Sequence, residues 1–487
     1  MSEKSGFEEL MSQVDAIVTH PLTPWLALGV IALFWILSQV SDKIPEDPIE
    51  RLKRTFGADQ IPHGIALIGV LLWGALVLLL TIGLITLLID IVWNTAQPVE
   101  REAKGDFRFL LTKTAALTAV LGAMIALPFT ALRLKLTAAQ TRHAEDVLFN
   151  EKLNDANTDL HARYQTSKKQ DDGTYIDIWT DDIIRRNGAI DRLAALAVER
   201  PAMAPRIARI LCVYLKEMSK NFLPQKPPSN PHDVLDWAQK LTVSRSDMET
   251  AAHILGSMHS KTKVSPDKLQ IDLSGVNLQA IIFKEANFEH ANLAGTYLDG
   301  AELNAAKLKS ANLSLASLNG ASLIWSRLEQ SDLQEASFVA ATLNGANMAS
   351  TALHGASLNL AKLFGTNLEA AELWGATFKQ TQFDETNITD ADFFKAEFHE
   401  TFFEDAVTAF GAQAHEATFR STDLSQVFGV EYLISGSFGD GTVILSNEVD
   451  VPNQWPNESL STGRYVTELN LFKKDPDAYL PPQLRKK

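Results

Sequence analysis

The chain has 487 residues, 46% of them hydrophobic and 21% charged, with a formal net charge of -15 and a pI near 5.2. That acidic balance speaks against general nucleic-acid binding, because neutralising a phosphate backbone takes clustered Lys and Arg. The single cysteine, Cys212, excludes an intramolecular disulfide and a multi-cysteine metal site, and the apolar helical run around it, Ile207 to Leu215, makes it a small buried hydrophobe.

Three apolar runs come first: Pro24 to Val40, Ile65 to about Trp93, and Thr114 to Leu132. A hydrocarbon core ~30 Å thick takes roughly 20 helical residues, so a membrane domain over 1–136 with transmembrane helices at about 24–40, 65–93 and 114–132 is expected. Thr23-Pro24 suits a helix start, and Trp25 and Trp93 suit the interfaces. The leading residues Glu3, Glu8, Glu9 and Asp15 outweigh Lys4, which marks the first run as a retained anchor and not a cleaved signal. Lys and Arg beside the spans number seven on one side (Lys43, Arg51, Lys53, Arg54, Arg133, Lys135, Arg142) and five on the other (Lys4, Arg101, Lys104, Arg108, Lys113). The bias places the N-terminus outside and the C-terminal domains in the cytoplasm. Small residues Ala115, Ala119, Gly122, Ala123 and Ala126 permit close helix packing within the chain or between copies, as in a homo-oligomer. Asp90, the only carboxylate inside an apolar run, raises a channel or transport reading, although its nearness to Trp93 favours an interfacial position.

Residues 137–265 read as a small all-α connector domain. Phe149, Leu153, Ala156 and Leu160 form one amphipathic stripe; Ile183, Ile190, Leu193 and Ala197 a second; Ile207, Leu211, Tyr214 and Met218 a third, opened by Pro205. Between the first two lies a polar stretch, Thr166 to Thr180, with the turn signal Asp171-Asp172-Gly173, expected to be a loop or hairpin. A proline-rich turn spans Pro224 to Pro231, and a last helix starts at the capping box Ser246-Asp-Met-Glu249. His253 and His259 do not share a helix face, and Gly256 to Thr262 lacks the glycine before its lysine that a phosphate loop needs, so neither supplies a site.

From Ile271 to Asp405 the sequence repeats every five residues for 27 units. The central position is Leu in 17 units and Phe in eight, with Met348 and Ile388 in the others; two residues earlier stands Ala in 16 units and Thr or Ser in eight. A period of five matches neither helix nor flat strand, so the chain turns at every unit. In a coil of four such sides one large apolar group per side fills the axis, and the second inward position has room only for a small one. Glycines at the corners (Gly275, Gly295, Gly300, Gly320, Gly345, Gly355, Gly365, Gly375) fit turns that need φ above zero. With coils roughly 4.8 Å apart the tract makes a rod about 32 Å long.

Units such as Ala291-Asn-Leu-Ala-Gly, Ala301-Glu-Leu-Asn-Ala and Ala341-Thr-Leu-Asn-Gly resemble the A(D/N)LXX motif of the pentapeptide-repeat family. The resemblance implies a right-handed quadrilateral β-helix. The connector segments Arg186 to Ala197, Ile210 to Glu217 and Asp247 to Gly256 resemble those of bacterial, membrane-anchored members, which implies a bacterial inner-membrane location and no assigned activity. After Asp405 the register shifts by one residue, and Ala409, Ala414, Phe419 and Leu424 extend the rod to 271–426. Residues 427–487 alternate turn signals with short apolar runs and are expected to form a C-terminal cap and tail.

Three function classes follow. No nucleophile elbow, complete phosphate loop, zinc spacing or paired-carboxylate pocket is present in the sequence, so a non-enzymatic scaffold or protein-binding module without cofactor or metal is expected, attached to the lipid bilayer. The candidate docking patch for a basic protein partner is Asp384, Glu385, Asp390, Asp392, Glu397, Glu400, Glu404 and Asp405, with Asp384 below Glu404 and Glu385 below Asp405 in successive coils. Like charges stacked about 5 Å apart cost on the order of 1 kcal/mol per pair in water. The competing reading is a solvated acidic end. Members of the family that mimic DNA and bind topoisomerases supply a second class, compatible with 18 carboxylates against seven bases in the repeats. A channel or transport-associated protein is the third.

Overall fold

The structure is a computed structural model that describes residues 48–56, 61–95, 103–405 and 407–485. It divides into two compact units between Leu148 and Phe149.

The first unit is helical: α1 Pro48–Phe56, α2 His63–Thr95 and α3 Ala103–Asp159, whose last turns from Phe149 belong to the second unit. Among the described residues two helices are long and apolar enough to cross a membrane, His63–Trp93 with mean hydropathy 2.8 and Arg108–Asp159 with 2.0. Both expected spans at 65–93 and 114–132 fall inside them, while the one at 24–40 lies outside the described residues. Hydroxyls within these helices bond back to their own backbone, Thr81 to the Val77 carbonyl at 2.6 Å and Thr114 to that of Leu110 at 2.8 Å, so neither hydroxyl depends on water. The small-residue stripe of α3 is exposed. Thr114, Leu117, Leu121 and Met124 are half-buried instead, with Leu117 against Gly83 of α2, and nothing lies within 4 Å of a Cβ built on Gly122.

The second unit opens with a hairpin, β1 Arg163–Lys169 and β2 Tyr175–Asp181, paired antiparallel around the turn at Gly173. The connector is therefore not all helical. Helices α4 Ile183–Glu199, α5 Ala204–Asn221, α6 Val234–Gln239 and α7 Ser246–Thr262 follow, and α4, α5 and α7 pack on one another. Two details differ from expectation. Ile183 is exposed at the end of α4 and leaves its stripe, and the Ser246 capping box does not form. Arg245 stands at the N-cap in an extended conformation because its guanidinium is held by Asp247 and Asp181. The short helix α8, Pro266–Leu269, leads into the repeats.

Along most of the repeats the central carbonyl accepts a hydrogen bond from the amide three residues on, as Leu273 does from Val276 at 3.0 Å, closing a turn within the unit. Parallel bridges join each unit to the one twenty residues later, from Asp272 with Asn292 to Gln382 with Phe402, which gives four units per coil. All 27 corner residues from Gly275 to Asp405 have positive φ, although only eight are glycine. The central residues, together with the preceding Ala, Ser or Thr, are buried in one continuous core with α3's end, α4, α5 and α7. Threonine replaces alanine inside without penalty because its hydroxyl reaches a carbonyl of the previous coil: Thr366 to Leu343, Thr381 to Leu358, and Thr386 to Leu363, at 2.7–2.9 Å. Bridges that run across Asp405 are spaced 21, as in Asn387 with Thr408 and Phe402 with Asp423, while Val407 with Val427 is again 20; Ala409, Ala414, Phe419 and Leu424 are all buried.

Pairing continues beyond the expected end, since Thr418 bridges Phe438 and Asp423 bridges Ile444. Helix α9 Val430–Ile434 sits in this last partial coil. Trp455 packs near Phe419 and donates through Nε1 to the Ser437 carbonyl at 3.0 Å. Helix α10 Thr462–Lys474 brings Tyr465 and Phe472 onto Phe438, and the Tyr465 hydroxyl donates to the Phe419 carbonyl at 3.1 Å.

Candidate interaction surface

A filled axis leaves the rod only its outer surface to work with, and columns of residues twenty apart organise that surface. Counting sides by their centres Leu273, Leu278, Phe283 and Phe288, the second side is partly covered. Ala238 of α6 lies against Gly300 and Gly320, and Lys473 of α10 reaches Glu397 at 3.3 Å. Beneath α6 a polar ladder is closed off from solvent. Asp299 accepts from Gln279 at 2.9 Å and from Asn319 at 2.9 Å, and Gln279 in turn holds the backbone of Gln225.

The eight acidic candidates do not form one patch. Asp384, Glu385, Glu404 and Asp405 meet at the corner after the third side, where the Glu404 amide donates to Asp384 at 3.1 Å and the Glu385 amide to the Asp405 carbonyl at 2.8 Å. Asp390 lies at the next corner, Asp392 on the first side, Glu397 on the second beside Lys473, and Glu400 at the corner after it, accepting from Gln380 at 2.7 Å. The reason is geometric: five residues along the chain turn the surface by a quarter, so neighbours in sequence face different ways. Burial raises the Asp384 carboxyl above its ordinary range, and the charges of Glu404, Asp405 and Glu385 push it the same way.

The same corner carries residues that the linear sequence did not single out. One coil before Asp384 stands Phe364, and three coils before Asp384 and Glu385 stand Ile324 and Trp325, with Trp325 71% and Phe364 48% exposed. The Trp325 ring lies over Gly345, where an added Cβ would approach it to 2.4 Å. Stepping the sequence by twenty from 325 or 324 reveals the column directly. A second aromatic column, His354, Trp374 and Phe394, runs along the corner after the first side with ring separations of 4.8 and 6.1 Å. His354 is paired with Glu372 at 2.9 Å, and Lys395 lies over Phe394.

The connector holds a buried charge cluster. Asp247, fully buried, accepts from the Tyr214 hydroxyl at 2.6 Å and from Arg245, which also reaches Asp181; Asp181 receives Arg186 at 2.7 Å and Arg163 at 3.1 Å. Burial raises Asp181, but the Arg245 hydrogen bond and the Arg186 charge outweigh it and hold the carboxyl below its usual range. The cluster ties the hairpin to α4, α5 and α7. Among the described residues no three His, Cys, Asp or Glu side chains converge to hold a metal ion.

Residues 271–359 and 361–407 match the family described as pentapeptide repeats, with eight copies. No curated protein matches the sequence. Among solved structures, a pentapeptide repeat protein (Rfr23) from the cyanobacterium Cyanothece 51142 is 23% identical, covering 20% of this chain and 64% of its own, with a TM-score of 0.19. HetL, a pentapeptide repeat protein involved in heterocyst differentiation regulation from Nostoc sp. strain PCC 7120, is 20% identical over 39% of this chain and 92% of its own, TM-score 0.15. QnrB1, a plasmid-mediated fluoroquinolone resistance protein, is 17% identical over 37% and 85%, TM-score 0.15.

Proposed function

The chain belongs through its repeat tract to the pentapeptide-repeat family, and from that premise we propose that it is a non-enzymatic, membrane-anchored scaffold whose rod captures a basic protein partner. The observation that carries this reading is the corner column in which exposed Trp325 and Phe364 are followed by the stacked carboxylates Asp384, Glu385, Glu404 and Asp405. Aromatic side chains supply binding area, and a row of like charges in water supplies attraction for an opposite one, which together suit a segment with apolar and basic residues. The apolar helices α2 and α3 support the anchor, the run at 24–40 would add a third span, and the Lys and Arg bias supports a cytoplasmic rod. Residues 427–487 serve as the cap that a solenoid end needs.

The test is affinity capture from membranes with the wild-type chain and with a variant carrying Asp384→Lys, Glu385→Lys, Glu404→Lys and Asp405→Lys. Loss of the same basic partner in the variant supports the reading, and unchanged capture overturns it. Alkaline extraction of membranes checks the anchor, and a tag at each terminus checks the orientation. The alternative, a DNA-mimicking topoisomerase-binding protein, is favoured by the 18 carboxylates against seven bases of the repeats. Inhibition of a topoisomerase at low concentration of this chain would select it over the scaffold.

A further inference from the structure

The hairpin offers a second surface. Its ladder runs through even-numbered residues, as the bonds from Gln170 to the Thr174 carbonyl and from Asp182 to that of Ala162 fix by their position at either end. The backbone N–H and C=O groups of Tyr175, Asp177, Trp179 and Asp181 therefore face outward from β2, and those of Arg163, Gln165, Ser167 and Lys169 from β1. A lone two-stranded hairpin is marginal in water, and native edges are usually guarded by lysine, proline or an inward charge. The edges differ here. β1 carries Arg163, Lys168 and Lys169, whereas β2 reads Tyr-Ile-Asp-Ile-Trp-Thr-Asp with no base and no proline. Its one mid-strand charge is turned away, since Asp177 accepts from Gln165 at 2.7 Å and from Ser167 at 2.6 Å across the hairpin. Tyr175, Ile176, Ile178 and Trp179 are all exposed.

We propose that β2 pairs antiparallel with β2 of a second copy of this chain, joining two hairpins into a four-stranded sheet about a twofold axis at Ile178. Outward groups on odd residues allow only registers in which odd faces odd. With the axis at Asp177 two carboxylates sit directly opposite, and with it at Trp179 Asp177 faces Asp181. The axis at Ile178 avoids both and overlaps the whole strand, Tyr175 facing Asp181 of the copy and Asp177 facing Trp179. Ile176 and Ile178 of both copies then form one apolar row. Pairing β1 with its copy would instead bring Arg163 and Lys169 together. Anchoring identical chains in one bilayer raises the effective concentration of their hairpins for one another, which favours a second copy over a foreign strand; this step alone rests on the anchored reading.

The test is site-specific cross-linking of the full chain in membranes. Ile178 and its copy would form a non-hydrogen-bonded pair with Cα atoms ~4.5 Å apart, close enough for a disulfide. The native Cys212 is buried, with its thiol pushed up to about 11 by that burial, so it gives little background. Ile178→Cys should convert most of the chain to a dimer of twice 53.6 kDa under mild oxidation, and Ser167→Cys on the β1 edge should not. Adding Tyr175→Lys and Trp179→Lys to Ile178→Cys should abolish the dimer and leave membrane retention and partner capture by the rod unchanged. An Ile178→Cys thiol that reacts with maleimide but does not cross-link, a cross-link that survives the two lysines, or a ladder of higher multimers through Ser167→Cys would each overturn the proposal. Retention and capture are read separately, so failure of the scaffold reading is distinguishable from failure of this one.

Discussion

Phe398→Ala probes what couples one coil to the next. The Phe398 ring is buried and stacks on Phe378 at 4.8 Å with an 11° tilt and on Phe419 at 4.7 Å with a 9° tilt, while Phe393 touches it from the side at 5.4 Å. Truncating a buried phenylalanine costs about 3–5 kcal/mol through lost transfer energy and the cavity left behind. Each stacked partner adds up to ~0.5–1.5 kcal/mol. A solenoid is stabilised by nearest-neighbour interfaces, so the loss falls on one junction. Urea unfolding of the Phe398→Ala chain, followed by circular dichroism, should show the coils after Phe398 melting before those ahead of it, where the parent repeats melt together. Phe398→Leu should cost less than about 1.5 kcal/mol, because leucine keeps most of the volume and already fills 17 of the 27 centres. A loss under about 1.5 kcal/mol for alanine, with one unchanged transition, would refute the idea that this aromatic column carries the coupling.

Three further outcomes can be checked by the same unfolding measurements. Gly365→Ala should cost about 1–2 kcal/mol, the price of a left-handed alanine, since nothing lies near its Cβ, whereas Gly345→Ala should cost more because the new Cβ meets Trp325, and Trp325→Ala should remove the excess. The raised Asp384 carboxyl binds its proton more tightly folded than unfolded. Its contribution is present below the ordinary value of 3.8 and lost as pH rises through the folded one, so Asp384→Asn should stabilise the chain at neutral pH and not below that value. Arg245→Met strips Asp247 and Asp181 of their shared partner, and breaking a buried pair in this way should cost about 3–5 kcal/mol at neutral pH. Because Asp181 titrates below its usual range, that difference should shrink as pH falls through the range where Asp181 takes up its proton.

The rod was legible because its physics is local. One large residue per side and a small one two positions earlier state the fold unit by unit, and the one-residue shift after Asp405 shows in sequence as it does in the bridges. The corners were only half legible. Glycine marks eight of them, but Leu315, Trp325 and Leu360 hold the same left-handed conformation without its advantage, because the amide of each is bonded to a carbonyl of the next coil. The connector was legible where apolar spacing governs, as in Ile207, Leu211, Tyr214 and Met218, and failed where a long-range charge decides. Arg245 displaces the capping box from Ser246 because Asp181, 64 residues earlier, claims its guanidinium.

The candidate surface failed to read linearly for a related reason. Asp390, Asp392, Glu397 and Glu400 are near Asp384 in sequence yet lie on other sides, whereas Phe364 and Trp325 are distant in sequence and share its corner. On this rod a binding face is a column with a step of twenty residues, lengthened to 21 where it crosses Asp405. Net charge along the chain therefore predicts little about any one face. A substitution scan that moved charge between columns at constant composition would separate the two: Asp392→Asn combined with Gly365→Asp should strengthen capture of a basic partner, even though the sequence remains equally acidic. Equal capture by both chains would mean that the rod attracts through its total charge and not through its corner.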